Sequence, residues 1–132
     1  SGTLIHKGAA ADSFIPSFIF KFDQVLVTVS TRDLSFIDEQ VFKDVFSLLS
    51  SYSIHMNIIQ NSALTLSFCI DNHPNLHDLI TGLQKRYLVR YNESLELITI
   101  RHFNEKAADL VLDGRQVLLE QQNRTVVQYV VR

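Results

Sequence analysis

The chain has 132 residues, of which 46% are hydrophobic; that is enough apolar surface for one ordinary domain or two very small ones sharing a core, and it excludes disorder. Its 12 Lys and Arg nearly cancel its 14 Asp and Glu, so no long-range field steers a polyanion or an anionic membrane toward it, and small neutral or zwitterionic partners stay open. The lone Cys69 cannot form an internal disulfide, no apolar run approaches ~20 residues and no signal-peptide pattern opens the chain, which together point to a reducing cytoplasm.

Ser1 stands where an initiator methionine would be, as expected of a piece cut from a longer protein. Gly2 to Ile5 reads as a short extended piece, followed by the small-residue loop "HKGAAADSFIPS", closed by Pro16. "SFIFKF" and "QVLVTVS" read as two strands separated by Asp23, with Val25, Val27 and Val29 on one face and Leu26, Thr28 and Ser30 on the other. The period then changes to 3.6: Ile37, Val41, Val45, Leu48, Leu49 and Tyr52 form a helical stripe, preceded by a Ser35/Asp38 capping box. A hairpin, "IHMNIIQNSALTLSFCID", comes next. Its corner carries Gln60, Asn61 and Ser62 where a tight turn would use glycine. A second helix starts near Pro74 with Leu76, Leu79, Ile80 and Leu83, and the strand "YLVRYN" completes a βαββαβ unit.

The pattern then repeats. "ELITIR" matches "VLVTVS", with Thr99 answering Thr28. A shorter helix with Phe103, Ala107, Leu110 and Val111 ends at Gly114, and "QVLLEQQ" and "TVVQYVV" follow. The second copy stops after its third strand and leaves an edge that Phe18 to Phe22 can fill. The expected fold is therefore α+β, two ferredoxin-like units with antiparallel sheets. The first unit spans 23–93, the second is assembled from 15–22 plus 94–132, and 1–14 is a linker.

The tandem units, the opening "GTLI" and the run "SIHMNIIQNSALTLSFCID" resemble the C-terminal regulatory region of aspartate kinases, a pair of ACT domains. The resemblance covers nearly the whole chain and is most specific from Phe46 to Asp71. It implies that an end-product amino acid, lysine or threonine, binds the first unit near a homodimer interface and controls a distant kinase domain. That domain would hold ATP and Mg and phosphorylate the aspartate side-chain carboxylate; residues 1–14 would lead from it, and the chain itself would need no cofactor. By position, the implied effector site comprises Asp33, Leu34, Ser35, Ile37, Asp38, His55, Met56, Asn57, Gln60, Asn61 and Ser62. Elementary chemistry suits a zwitterion there, because helix N-terminal N–H groups match an α-carboxylate, and strand carbonyls with the Asn57 amide oxygen accept from an α-ammonium. Lysine-sensitive relatives carry acidic residues where this chain has Asn57 and Ala63, whereas Gln60 and Asn61 suit a neutral effector such as threonine, and Asp38 and Glu39 stand near enough to receive a cation.

Structural roles compete for the same residues. Gln60, Asn61 and Ser62 can serve only the backbone of a wide hairpin, and Asp38 only the capping box; Gln121, Gln122 and Asn123, at the equivalent second corner, read as a solvated turn. Pro74 makes His73 a cap residue, so His73 and His77 are not expected to bind a metal, and Cys69 between Phe68 and Ile70 belongs to the core. No P-loop, nucleophile elbow or dinucleotide fingerprint occurs, so no catalysis is expected of this chain. The same strand order builds RNA-recognition domains, but neither "QVLVTVS" nor "LTLSFCI" offers the required aromatic and basic pattern. The alternative to an effector domain is a ligand-free dimerisation scaffold, pairing through strands Gln24 to Ser30 and Ile54 to Gln60.

Overall fold

A computed structural model describes residues 15–132. The expectations for Gly2 to Ile5, for the linker and for most of the small-residue loop lie outside the described residues. The elements are β1 (Ser17–Thr31), α1 (Glu39–Ser51), β2 (Met56–Asn61), β3 (Leu66–Asp71), α2 (Leu76–Gln84), β4 (Tyr87–Arg101), α3 (Glu105–Leu112), β5 (Val117–Gln122) and β6 (Val126–Val131). They form two compact units. One is Phe22–Leu95, the inserted unit; the other is 15–21 together with Glu96–Arg132, the split unit.

Within the inserted unit the strands neighbour one another in the order β2–β3–β1–β4, the ferredoxin-like arrangement. β3 runs antiparallel to both partners, with Val25 opposite Ile70 and Ile59 opposite Phe68. Alternation places Val25, Val27 and Val29 of β1 and Leu66, Phe68 and Ile70 of β3 on one face, all essentially inaccessible to solvent. Val41, Val45 and Leu49 of α1 and Leu76, Leu79, Ile80 and Leu83 of α2 cover that face. At Gly82 the two helices come close, since a Cβ there would meet the Leu48 methyls at 3.3 Å.

In the split unit β4 pairs with β6 and β6 with β5, all antiparallel. Its core is Ile98, Ile100, Val127, Tyr129 and Val131 under Ala107 and Ala108 of α3. Both units carry a bulge at the same place in their outer strand, between Met56 and Ile58 in one and between Val117 and Leu119 in the other.

The structure corrects five expectations. "SFIFKF" and "QVLVTVS" are one 15-residue strand, because Asp23 takes the left-handed region (φ 53) without ending the strand; aspartate is among the few non-glycine residues that tolerate it. "YLVRYN" and "ELITIR" likewise join as β4, across Ser94 at φ 59. β1 lies between β3 and β4, so Gln24 to Ser30 is interior to its sheet and only β2 leaves an edge on that side. Ser35 caps no helix: Asp38 is itself the N-cap of α1, accepting from the Gln40 and Val41 amides at 3.1 and 3.4 Å. Leu110, placed on the buried stripe of its helix by period alone, is 76% exposed.

Candidate functional site

The expected effector residues fall into two groups. The first is the loop between β1 and α1 together with the β2–β3 corner. Leu34 has φ 59, and its N–H bonds back to the Thr31 carbonyl. The exposed Asp33 carboxylate accepts from the Ser35 N–H at 3.1 Å, and its hydrogen bonds with Ser35 hold it below its ordinary pKa of 3.8. Thr31 Oγ1 donates to the Ser35 carbonyl at 2.9 Å, closing the loop on itself. Ile37 N–H then reaches the carbonyl of Ala63 at 2.8 Å, which ties this loop to the corner holding Asn61 and Ser62. Ser62 Oγ accepts from the Thr65 N–H at 3.2 Å and meets Thr65 Oγ1 at 2.8 Å, so its hydroxyl does close the hairpin. Gln60 and Asn61 are exposed and lie opposite Ser67 and Leu66.

The second group lies at the β2 bulge. His55 is exposed, Met56 packs against the core, and Asn57 is the bulged residue. Asn57 Nδ2 donates to Gln24 Oε1 at 2.8 Å and to Asp71 Oδ1 at 2.9 Å. Gln24 Nε2 donates to the same Asp71 oxygen at 2.7 Å, and Cys69 Sγ lies 3.2 Å from Gln24 Oε1. Gln24 is only 1% exposed, so these bonds satisfy a buried amide. The sequence singled out Asn57 but neither Gln24 nor Asp71. Their signal was a polar residue at the end of each apolar run, where antiparallel pairing sets Gln24 opposite Asp71.

The remaining candidates have local roles. His73 Nδ1 accepts from the Asn75 N–H at 3.0 Å, just ahead of α2. Asn123 Oδ1 accepts from the Thr125 and Val126 amides at 3.0 and 2.9 Å, turning the second corner. Cys69 is fully buried. Among the described residues no three His, Cys, Asp or Glu side chains gather as a metal cage, and no helix is long and apolar enough to cross a membrane. One perturbed ionisable group lies between α1 and β4. There the Tyr87 hydroxyl bonds to Asp44, and burial first, then that bond, push its pKa from 10.0 to about 12.

The architecture is that of an α+β protein built of two ACT-like ferredoxin-fold units. Solved structures of the same fold include regulatory parts of aspartate kinases and whole aspartate kinases. One from Porphyromonas gingivalis W83, described as a C-terminal regulatory domain of aspartate kinase, is 20% identical, with a TM-score of 0.75 over 89% of this chain and 86% of that one. Escherichia coli aspartokinase III in complex with lysine and aspartate is 15% identical, with a TM-score of 0.67; the match takes in 86% of this chain but only 28% of that one. The ligand-free regulatory subunit of aspartate kinase from Thermus thermophilus is 8% identical, with a TM-score of 0.63 over 86% of this chain and 85% of that one. No protein-family model matches the sequence, and no curated protein is similar to it in sequence.

Proposed function

We propose that the chain is a cytoplasmic regulatory region of an aspartate kinase, that its inserted unit binds an end-product amino acid, lysine or threonine, and that it couples binding to feedback control through a homodimer. ATP and Mg would belong to the kinase domain of the parent protein, which transfers a phosphoryl group to the aspartate side chain. The observation that carries this is the extent of the shared fold: it runs through 89% of this chain and 86% of a domain described as regulatory, rather than through a catalytic domain.

The polar bulge of the inserted unit suits the cationic end of an amino acid, because Asp71 in the Asn57–Gln24–Asp71 cluster supplies the countercharge that positions 57 and 63 lack. The Gln24–Asp71 pair lies five register positions from Leu66 at the corner that Ile37 meets, so the start of α1 stands at the other end of the sheet and a single amino acid reaches only one of the two places.

Calorimetry with lysine, threonine and methionine tests the reading, with a thermal melt beside it. For a ligand that binds only the folded state, 100 times the dissociation constant adds about 2.7 kcal/mol of stability. Asn57→Ala should abolish the ligand-induced shift, measured against the variant's own ligand-free melt, whereas Gln122→Ala in the split unit should keep it. No heat and no shift at millimolar amino acid would leave the ligand-free scaffold in its place.

A further inference from the structure

Within the inserted unit the neighbouring strands β1 and β4 leave a cavity of about 370 Å³, lined by Thr28, Ser30, Leu88, Val89 and Arg90. Its side of the sheet follows from alternation. Val29 and Val89 turn into the core beneath α1 and α2, so Thr28 and Ser30 of β1, and Leu88 and Arg90 of β4, face away from the helices. The volume falls among those of small-molecule pockets.

The polar groups of the cavity all suit one charge. Arg90 brings a guanidinium, Thr28 and Ser30 bring hydroxyls, and among the described residues no carboxylate lines it. Elsewhere arginines find acceptors: Arg32 donates to the Gln84 carbonyl at 2.6 Å, Arg86 meets Asp44 at 3.0 Å and Arg115 meets Glu96 at 2.6 Å. Arg90 has no such acceptor among the described residues. Its planar fork matches a carboxylate or a phosphate through two parallel hydrogen bonds. The Thr28 and Ser67 hydroxyls lie 3.1 Å apart, so when Ser67 donates to Thr28 the Thr28 proton is left for an anion's oxygen. Leu88, 49% exposed, offers an apolar wall beside these donors.

We propose that this cavity binds a small organic anion, whose carboxylate or phosphate pairs with Arg90 and accepts from Thr28 and Ser30 while its hydrocarbon part lies on Leu88. None of these residues belongs to the implied effector site, so the proposal does not rest on effector binding.

NMR of the 132-residue chain at fixed ionic strength tests it, with butyl phosphate, inorganic phosphate, butyrate and butylammonium as probes. The butyl anions should shift the Thr28, Ser30 and Arg90 amides saturably, with dissociation constants of about 1 mM, and butylammonium should not. Arg90→Gln should weaken both anions roughly tenfold or more, the scale of a charge-assisted hydrogen bond. Because Arg90 is exposed, that variant should melt with the wild type. Arg101→Gln removes an exposed arginine of the split unit and should leave binding unchanged. Leu88→Ser should weaken butyl phosphate but not inorganic phosphate. Tighter binding of butyl phosphate than of butyrate assigns the ligand to the phosphates, and the reverse order to the carboxylates. Absence of any saturable shift with the anions would overturn the proposal, as would binding that Arg90→Gln leaves unchanged or that Arg101→Gln weakens equally.

Discussion

The inserted and split units share strand order, an outer-strand bulge and a polar corner, yet they differ in what fills the bulge and, among the described residues, in how many helices cover the sheet. The bulge holds Asn57 in one and Leu118 in the other. The buried polar group of the first, Gln24, is satisfied by neutral and singly charged neighbours, while that of the second, Glu96, is paired with Arg115 at 2.6 Å. A repeat conserves what the backbone needs, so the common features belong to the fold. The polar bulge, found in one unit only, is free to serve a ligand.

The largest test of the comparison is in the cores. Phe68 is fully buried beneath two helices, and Phe68→Ala should cost about 3–5 kcal/mol, much of the total stability of a small domain. Tyr129 occupies the matching position in the split unit, where among the described residues α3 alone covers it, and is 6% exposed. Tyr129→Ala should cost about 2–3 kcal/mol, because the thinner cover collapses more readily onto the space. Urea unfolding of both variants reads the difference. Equal losses would mean that the helix count does not set core strength.

The bulge comes next. Asn57→Leu makes the inserted unit resemble the split one and removes a donor from Gln24 and Asp71; a cost of about 1–2 kcal/mol is expected, given that Gln24 is buried. Gln24→Leu should cost less, because Asn57 and Asp71 can then turn to water. If the order were reversed, the network would be organised by Gln24 packing and not by hydrogen bonding.

Much of this was legible. The 3.6-residue stripe gave α1 and α2, and the doubled pattern gave two units, because both signals are local. What escaped was non-local or broke a local rule. Asp23 read as a break and the units were divided between 93 and 94, because polar residues commonly punctuate strands; Asp23 and Ser94 take positive φ there and the strands run on, a continuity that depends on neighbouring strands. Asn57 was visible as a polar residue in an apolar strand, but its partner Gln24 lies 33 positions away, and register across the sheet is not written in either strand alone. Leu110 followed the helical period into the wrong environment, since period gives a face but not what covers it.

Titration offers a smaller effect, in which Tyr87 of the inserted unit and Tyr129 of the split unit are both held above the ordinary tyrosine pKa, Tyr129 by burial first. The Tyr87 pKa is raised above its ordinary 10.0 to about 12, so the stability that comes from keeping it protonated is whole below pH 10 and is lost as pH rises toward 12. The Asp44 pKa is lowered from 3.8, first by the Tyr87 hydrogen bond, so its contribution is present above that value and is lost as pH falls below it. Tyr87→Phe should cost about 1 kcal/mol at neutral pH and should lessen the alkaline loss above pH 10, leaving the part due to Tyr129. Arg86, 3.0 Å from Asp44 but 62% exposed, should matter little, and Arg86→Ala should leave the pH profile in place. A Tyr87→Phe profile that fell as steeply as the wild type's above pH 10 would assign the loss to Tyr129 instead.

The smallest difference expected is at the helix starts. Asp38 receives two backbone amides at the head of the 13-residue α1, and Asn104 receives one, from Ala107 at 2.8 Å, at the head of the eight-residue α3. Each cap replaced by alanine should cost about 1 kcal/mol. The consequences should nevertheless diverge. α1 has a long buried face and tertiary packing to hold its first turn, whereas an isolated helix as short as α3 is marginal and buries only Ala107 and Ala108. Asn104→Ala should therefore loosen amide exchange throughout α3, while Asp38→Ala should loosen it only in the first turn of α1. Equal, local loosening in both would show that the split unit grips α3 as firmly as the inserted unit grips α1.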